Sequence, residues 1–296
     1  MDKIEKYLAY NGKVSLICAN TKNLVEEIRK IHDLTPTTTA TMGRFATVCG
    51  MMGLTSIKEN DDSITVQLKG TGPCGILVAV VKRENNISKI KTYMQNPLVE
   101  LPLKPNGKID VGGAVGNTGY LNVIKQSDIT DSEYNGLVPL VSGEIAEDFT
   151  EYFATSEQKP TVLALGVLVN KDGVQESGGY MINLMPDATE EEISKIEEAL
   201  NKAPSISELL SQEKSLNEIA KIVTGDDNIK LLEDNLEIKF DCDCSKQKIE
   251  KGLISIGKEE LNEIIEEDGK AEIVCQFCNK KYDFSKEELE EILKKI

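Results

Sequence analysis

Four of the seven cysteines in this 296-residue chain stand in two tight pairs near its end: Cys242-Asp243-Cys244, then thirty residues, then Cys275-Gln276-Phe277-Cys278. Nothing else in the sequence restricts the fold as strongly. A C-x-x-C pair places two thiolates on one side of an ion, and a C-x-C pair can turn both sulfurs to a common centre from extended backbone. Together they predict a tetrahedral zinc site with four cysteine ligands. With all four positions filled by protein no coordination site stays open, which points to one structural Zn2+ rather than a catalytic ion. The surroundings need such a staple. Residues 232–296 carry few aromatics and a net charge of −7, so their hydrophobic core is marginal alone. A structural zinc contributes on the order of 10–16 kcal/mol, comparable to or larger than a typical folding free energy. Ile254, Ile256, Leu261, Ile264 and Ile265 supply the core between the pairs, and Tyr282 and Phe284 extend it.

The same thiols are a weak point. Oxidants attack thiolates, and a disulfide is no comparable zinc ligand, so oxidation releases the ion and removes most of the module's stability. Residues two or three apart in the chain can approach disulfide geometry, which makes Cys242–Cys244 and Cys275–Cys278 candidate pairs. A structural ribbon with no switch is the commoner use of such ligands. A thioredoxin-like dithiol at Cys275 and Cys278 is another reading, but it leaves the C-x-C pair unexplained. Cys18, Cys49 and Cys74 lie in apolar or turn-rich stretches and read as buried small hydrophobes. His32 is the single histidine and has no second imidazole with which to build a site.

Charge narrows the function classes. The formal net charge is −16: −3 over residues 1–186, −7 over residues 187–229, +1 at Lys230 and −7 in the cysteine segment. Phosphate neutralisation needs a basic surface, so general nucleic-acid binding is excluded. No apolar run approaches the ~20 residues that span a bilayer, so no membrane partner is expected. The opening Met1-Asp2-Lys3-Ile4-Glu5-Lys6 mixes charges and lacks the apolar stretch of a signal peptide. A cytoplasmic location follows as the expectation, and there thiols are kept reduced.

Strand patterns dominate as far as residue 184. Ile64–Lys69 alternates apolar and polar residues, as a half-buried strand does. Ile76–Val81 and Val162–Val169 are continuous apolar runs, which predict fully buried strands; Lys171-Asp172-Gly173 reads as a hairpin turn into Gly178–Leu184. Tyr120–Lys125 is a further strand. Glycine-rich turns are expected at Gly70–Gly75, Gly112–Gly119 and Gly178-Gly179. Helical patterns cover Asn23–Ile31, a segment capped near Thr35-Pro36 that runs to about Met52, and one opening at Ser142 with Ile145, Phe149, Tyr152 and Phe153 at helical spacing. Strands mixed with segregated helices make the class α+β. From Pro186 the texture turns acidic and helical. Thr189-Glu-Glu-Glu192 starts one amphipathic helix, with Ile193, Ile196 and Leu200 on its apolar side. A second begins at Ser205 and carries Leu209, Leu210, Leu216 and Ile219. Both are short, charged and in need of a surface to cover. The chain thus divides into an α+β core (1–184), an acidic helical linker (185–231) and a cysteine module (232–296).

No enzyme reading stands out. A G-x-x-x-x-G-K-[ST] phosphate loop is missing, and Gly113-Ala-Val-Gly116-Asn-Thr-Gly119 does not match G-x-G-x-x-G. One histidine cannot support a serine–histidine–acid set, and Ser142-Gly143-Glu144 lacks the flanks of a nucleophile elbow.

Longer motifs carry more specific information. Gly70-Thr-Gly-Pro73 with Gly75, Asn96-Pro97, Leu101-Pro-Leu103 and Gly107-Lys-Ile-Asp-Val-Gly112 stand along the first part. Val138-Pro-Leu-Val-Ser-Gly-Glu-Ile-Ala-Glu147 and Ser156-Glu-Gln158 follow, then Cys242-Asp-Cys244-Ser245 and Cys275-Gln-Phe-Cys278 with Tyr282. In these the chain resembles, over essentially its whole length, the bacterial redox-regulated chaperones of the heat-shock protein 33 family. Cys74 departs from that pattern, where a non-cysteine apolar residue is expected. The resemblance implies an ATP-independent holdase of oxidative and heat stress, inactive while reduced and zinc-bound. It implies that the module is redox-sensing. Oxidation forms the neighbouring disulfides Cys242–Cys244 and Cys275–Cys278, zinc leaves, module and linker unfold, and unfolding client proteins are captured, commonly by a homodimer. A constitutive zinc-ribbon binder of one protein or RNA and a thiol–disulfide enzyme are the competing classes; the acidic charge disfavours RNA.

Overall fold

The computed structural model describes residues 2–59, 62–127 and 132–296. Antiparallel strands β1 (Lys3–Ala9) and β2 (Val14–Asn20) lead into helices α1 (Lys22–His32) and α2 (Pro36–Ser56). A meander of β3 (Ser63–Gly70), β4 (Ile76–Glu84) and β5 (Ile87–Met94) is followed by a short helix α3 (Val111–Val115), then β6 (Gly119–Ser127) and β7 (Ser132–Pro139). Helix α4 (Ala146–Thr155) precedes the hairpin of β8 (Thr161–Asn170) and β9 (Gly173–Leu184). Three helices come next, α5 (Glu190–Lys202), α6 (Ile206–Ser211) and α7 (Leu216–Thr224), and then strand β10 (Lys230–Phe240). These strands form one ten-stranded sheet in the order β7-β6-β3-β4-β5-β10-β1-β2-β9-β8. Among the described residues only β10 against β5 is parallel. The class is α+β, as the patterning predicts.

Helix α2 is the organising element of one face. Thr35 caps it by accepting from the Thr38 N–H, and Pro36 fills the first turn, where its missing N–H costs nothing. The helix is buried along nearly its whole length because small residues let strands come close. A methyl group on Gly50 would stand 2.5 Å from Ile238, and one on Gly53 would stand 2.2 Å from the Ser88 hydroxyl. Phe45, Met42, Met51 and Met52 fill the space between α2, α4 and the sheet.

The opposite face of β1, β2, β8 and β9 belongs to α5, α6 and α7. Tyr7, Leu16, Cys18, Tyr180 and Ile182 project from the strands and meet Ile196, Ile206, Leu209, Leu210 and Ile219 from the helices in a separate apolar cluster. Local chemistry sets these helices. Thr189 with Glu192, and Ser215 with Glu218, form reciprocal capping boxes, and Ser205 caps α6. The single helix expected from Ser205 onward is two, because Ser215 and Glu218 begin a new one after a break at residues 212–215.

Three other expectations change. The run Ile76–Val81 is covered on one face only: Leu77, Ala79 and Val81 are buried, whereas Ile76, Val78 and Val80 are half-buried. Antiparallel sheets permit this one-sided burial. Val162–Val169 is covered on both faces, by Leu163, Leu165 and Val167 in one cluster and Val162 and Ala164 against the other, except toward its end, where Leu168 is 47% exposed. Gly178 and Gly179 are not a turn but lie in mid-strand in β9, and residues 111–115 within the expected 112–119 turn form α3. The compact first unit ends at Phe240, with Asp241–Ile296 as the second. The boundary falls there, not after residue 231, because residues 232–240 pair with β1 and β5.

Candidate metal centre

The second unit holds helices α8 (Lys246–Ile256) and α9 (Lys258–Glu267), a hairpin of β11 (Lys270–Val274) and β12 (Lys281–Ser285), and helix α10 (Lys286–Leu293). Cys242 and Cys244 lie on the irregular segment between β10 and α8, a helix that Ser245 caps by accepting from the Lys248 N–H. Cys275 and Cys278 lie in the hairpin turn. The Cys275 N–H donates to the Lys280 carbonyl at 2.9 Å, and the Asn279 N–H to the Cys275 carbonyl at 2.8 Å. Asn279 closes the turn in the left-handed region with φ 57°, a conformation asparagine tolerates.

Folding brings all four predicted sulfurs together, each within 4.8 Å of the others. Cys242 Sγ is 3.7 Å from Cys275 Sγ, and Cys244 Sγ is 3.3 Å from Cys278 Sγ. Four thiolates at about 2.3 Å from one zinc ion would be spaced by ~3.8 Å along a tetrahedron's edges, so this cluster fits such an ion. The N–H groups of Cys244 and Lys280 hydrogen-bond the sulfurs of Cys242 and Cys278. The Tyr282 hydroxyl donates to Cys244 Sγ at 3.1 Å. Burial raises the Cys242 thiol. Burial would also raise Cys244, but the Tyr282 hydroxyl and the neighbouring sulfurs outweigh it and bring that thiol down to about 7.

Around the sulfurs the core is small. Leu253, Leu261, Ile265, Tyr282, Phe284, Leu289 and Ile292 form it. Ile256, expected in this core, is 43% exposed at the end of α8. Leu289 and Ile292 of α10 take part instead, at helical spacing that the sequence displays. The sequence predicts Tyr282 as core alone; its alternation with Phe284 in β12 signals burial, but only the folded hairpin aims its hydroxyl at a sulfur. Elsewhere Cys18, Cys49 and Cys74 are fully buried, and His32 ends α1.

Comparison with known proteins gives this geometry a context. The family model described as Hsp33 protein matches residues 2–285. A 33 kDa chaperonin of Clostridioides difficile is 48% identical over 100% of this chain and 99% of its own length. One from Acetivibrio thermocellus is 44% identical, covering 100% and 98%. The crystal structure of the 33 kDa chaperonin from Thermotoga maritima superposes with a TM-score of 0.88 at 35% identity, covering 99% of this chain and 98% of that one. The chain belongs to the Hsp33 family. The resemblance read from its motifs is therefore upheld across the full length.

Hsp33 proteins are chaperones, a non-enzymatic class, and this member is a chaperone rather than an enzyme. Its four-cysteine cluster is the part of this Hsp33 chain that can hold a metal ion among the described residues. Among those residues no helix is long and apolar enough to cross a membrane.

Proposed function

We propose that this chaperone is a redox-regulated, ATP-independent holdase acting in the cytoplasm under oxidative and heat stress. The observation that carries the reading is the convergence of four sulfurs beginning two residues after β10, the strand that follows the helices covering the apolar sheet face. Reduced Cys242, Cys244, Cys275 and Cys278 would hold one Zn2+, which when bound staples a module whose own core is small. Each pair of thiolates gives two electrons to one peroxide. With four protons from solvent, two peroxides thus yield the disulfides Cys242–Cys244 and Cys275–Cys278 and four waters, and the sulfurs lose the charge that binds the ion.

The consequence runs along the chain. The first cysteine lies just past β10, of whose side chains only Leu236 and Ile238 are buried, and whose pairing with β1 is irregular. Loss of the module would leave this strand tethered by little apolar contact. Helices α5 to α7, each of three turns or fewer except α5, are marginal without the sheet. Their departure uncovers Leu16, Tyr180 and Ile182, a surface for apolar segments of unfolding clients. The oxidised form is expected to be a homodimer. The test is a peroxide titration with mild heating, following metal release, free thiols and aggregation of a heat-unfolded client without ATP. Four thiols lost per ion released, in step with client protection, is the expected result. Equal protection by the reduced, metal-bound form would refute the switch.

A further inference from the structure

A cavity of about 600 Å3 opens on the face of the sheet turned away from α5–α7. Its floor is Lys6, Ser15, Met181 and Asn183, adjacent on β1, β2 and β9 through the pairs Lys6↔Ile17, Ile17↔Met181 and Ser15↔Asn183. Thr55 and Ser56 at the end of α2 form one wall, and Phe153 of α4 with Gln158–Pro160 forms the other. Leu184, Met185 and Pro186 make the rim.

Three properties mark it as a ligand site. Its volume lies within the roughly 300–1,000 Å3 of small-molecule sites. Phe153, Met181, Leu184, Met185 and the two prolines give it apolar surface, while neutral hydrogen-bonding groups line the rest. Among the described residues its only charged lining groups are Lys6 and Lys159, in a chain whose net charge is −16. Each lysine also meets a carboxylate, Lys159 donating to Glu157 at 3.1 Å, and each keeps further N–H donors for a ligand. Lys6 is 3.5 Å from Glu233, and the partner of Lys159, Glu157, is also held by Lys125 and by the Tyr152 hydroxyl at 2.7 Å. The negative end of α2, which would oppose an anion, is answered by Arg83, whose guanidinium donates to the carbonyls of Leu54 at 2.9 Å and Ile57 at 3.0 Å.

We propose that this cavity binds a small amphipathic anion, a medium-chain carboxylate, whose tail lies against Phe153, Met181 and Leu184 and whose headgroup is met by Lys6 and Lys159. The rim is where the chain leaves β9 for α5. The Leu184 N–H donates to the Pro160 carbonyl at 3.1 Å and the Met185 N–H to the Lys13 carbonyl at 2.9 Å. An occupant therefore touches the residues that start the covering segment, yet the site involves none of the cysteines and stands independently of the redox reading.

The experiment is calorimetric titration of the reduced, metal-loaded full chain with decanoate below its micellar concentration, with decanol as the uncharged probe. Saturable binding of one decanoate per chain is expected, with decanol at least about tenfold weaker, the value of one charge-assisted contact. The double variant Lys6→Gln/Lys159→Gln should lose about tenfold or more for decanoate, and Ser56→Trp should block the mouth. Non-saturating uptake, equal binding of decanol, or binding untouched by both variants would each overturn the assignment.

Discussion

The seat of α6 offers a way to loosen the covering helices without touching a cysteine. Gly166 of β8 and Gly178 of β9 face each other across the hairpin, on the side where α6 rests. A Cβ on Gly166 would lie 2.8 Å from the Ile206 side chain and 3.0 Å from the Ser207 backbone nitrogen. The Ile206 methyl can turn aside, but the backbone nitrogen moves only if the helix moves. Gly166→Val should therefore strain the closed form by about 1–3 kcal/mol, the usual cost of overpacking. The gain from placing a β-branched residue in a strand is shared by open and closed forms and leaves their balance unchanged. The opening equilibrium should shift by about 5- to 150-fold toward release. Cys18 reports it directly. This thiol is fully buried on the covered face, opposite Tyr180, and burial raises its pKa, so a thiol reagent traps it only when the helices lift. Cys49, fully buried in α2 on the other face, is the internal control. Peptide-level mass spectrometry of the reduced, metal-loaded variant should show faster labelling at Cys18 by that factor, with Cys49 and metal content unchanged. Cys18 labelling within twofold of the parent, or a parallel rise at Cys49, would refute the reasoning.

Tyr282→Phe removes the O–H···S bond to Cys244 and should weaken zinc binding by about 10- to 100-fold in a chelator competition, as outer-shell changes do; an unchanged affinity would reduce Tyr282 to core packing. Cys275→Ser removes one ligand of a module with a small core, so hydrogen exchange should show residues 241–296 unprotected, and protection equal to the parent would mean that the metal is dispensable to the fold. Glu157→Gln should destabilise the first unit by about 1–3 kcal/mol near neutral pH. Burial would raise the Glu157 carboxyl, but hydrogen bonds from Lys125, Tyr152 and Lys159 outweigh it and hold the pKa at about 2 against an ordinary 4.5. A depressed carboxylate stabilises above its unfolded value, so the gap between parent and variant, read by denaturant unfolding, should shrink as pH falls from about 4.5 toward 2; a gap constant over that range would contradict the assignment.

Much of the site is legible before folding because its information is local. The spacing of Cys242 with Cys244 and of Cys275 with Cys278 marks four candidate metal ligands whatever surrounds them. Capping residues work the same way: Thr189 with Glu192 announces α5 within four residues. The α+β class follows from period and punctuation, and the family from motifs spread along the chain. Burial is less legible, since a continuous apolar run such as Ile76–Val81 looks identical whether one face or two are covered.

What only the tertiary structure decided depends on residues far apart in sequence. β10 looks by composition like part of the cysteine module, yet Leu236 is opposite Ile4, and Ile238 is beside Ser88. Gly178 and Gly179 look like a turn until Ala19 and Leu210 crowd the first, and Leu165 the second. The Tyr282 hydroxyl meets a sulfur 38 residues earlier. A cysteine pair or a cap is complete within a few residues, so the sequence by itself determined them. A strand's partner, a bare patch that seats a helix and a hydroxyl aimed at a sulfur are properties of surfaces that exist only after distant segments have packed.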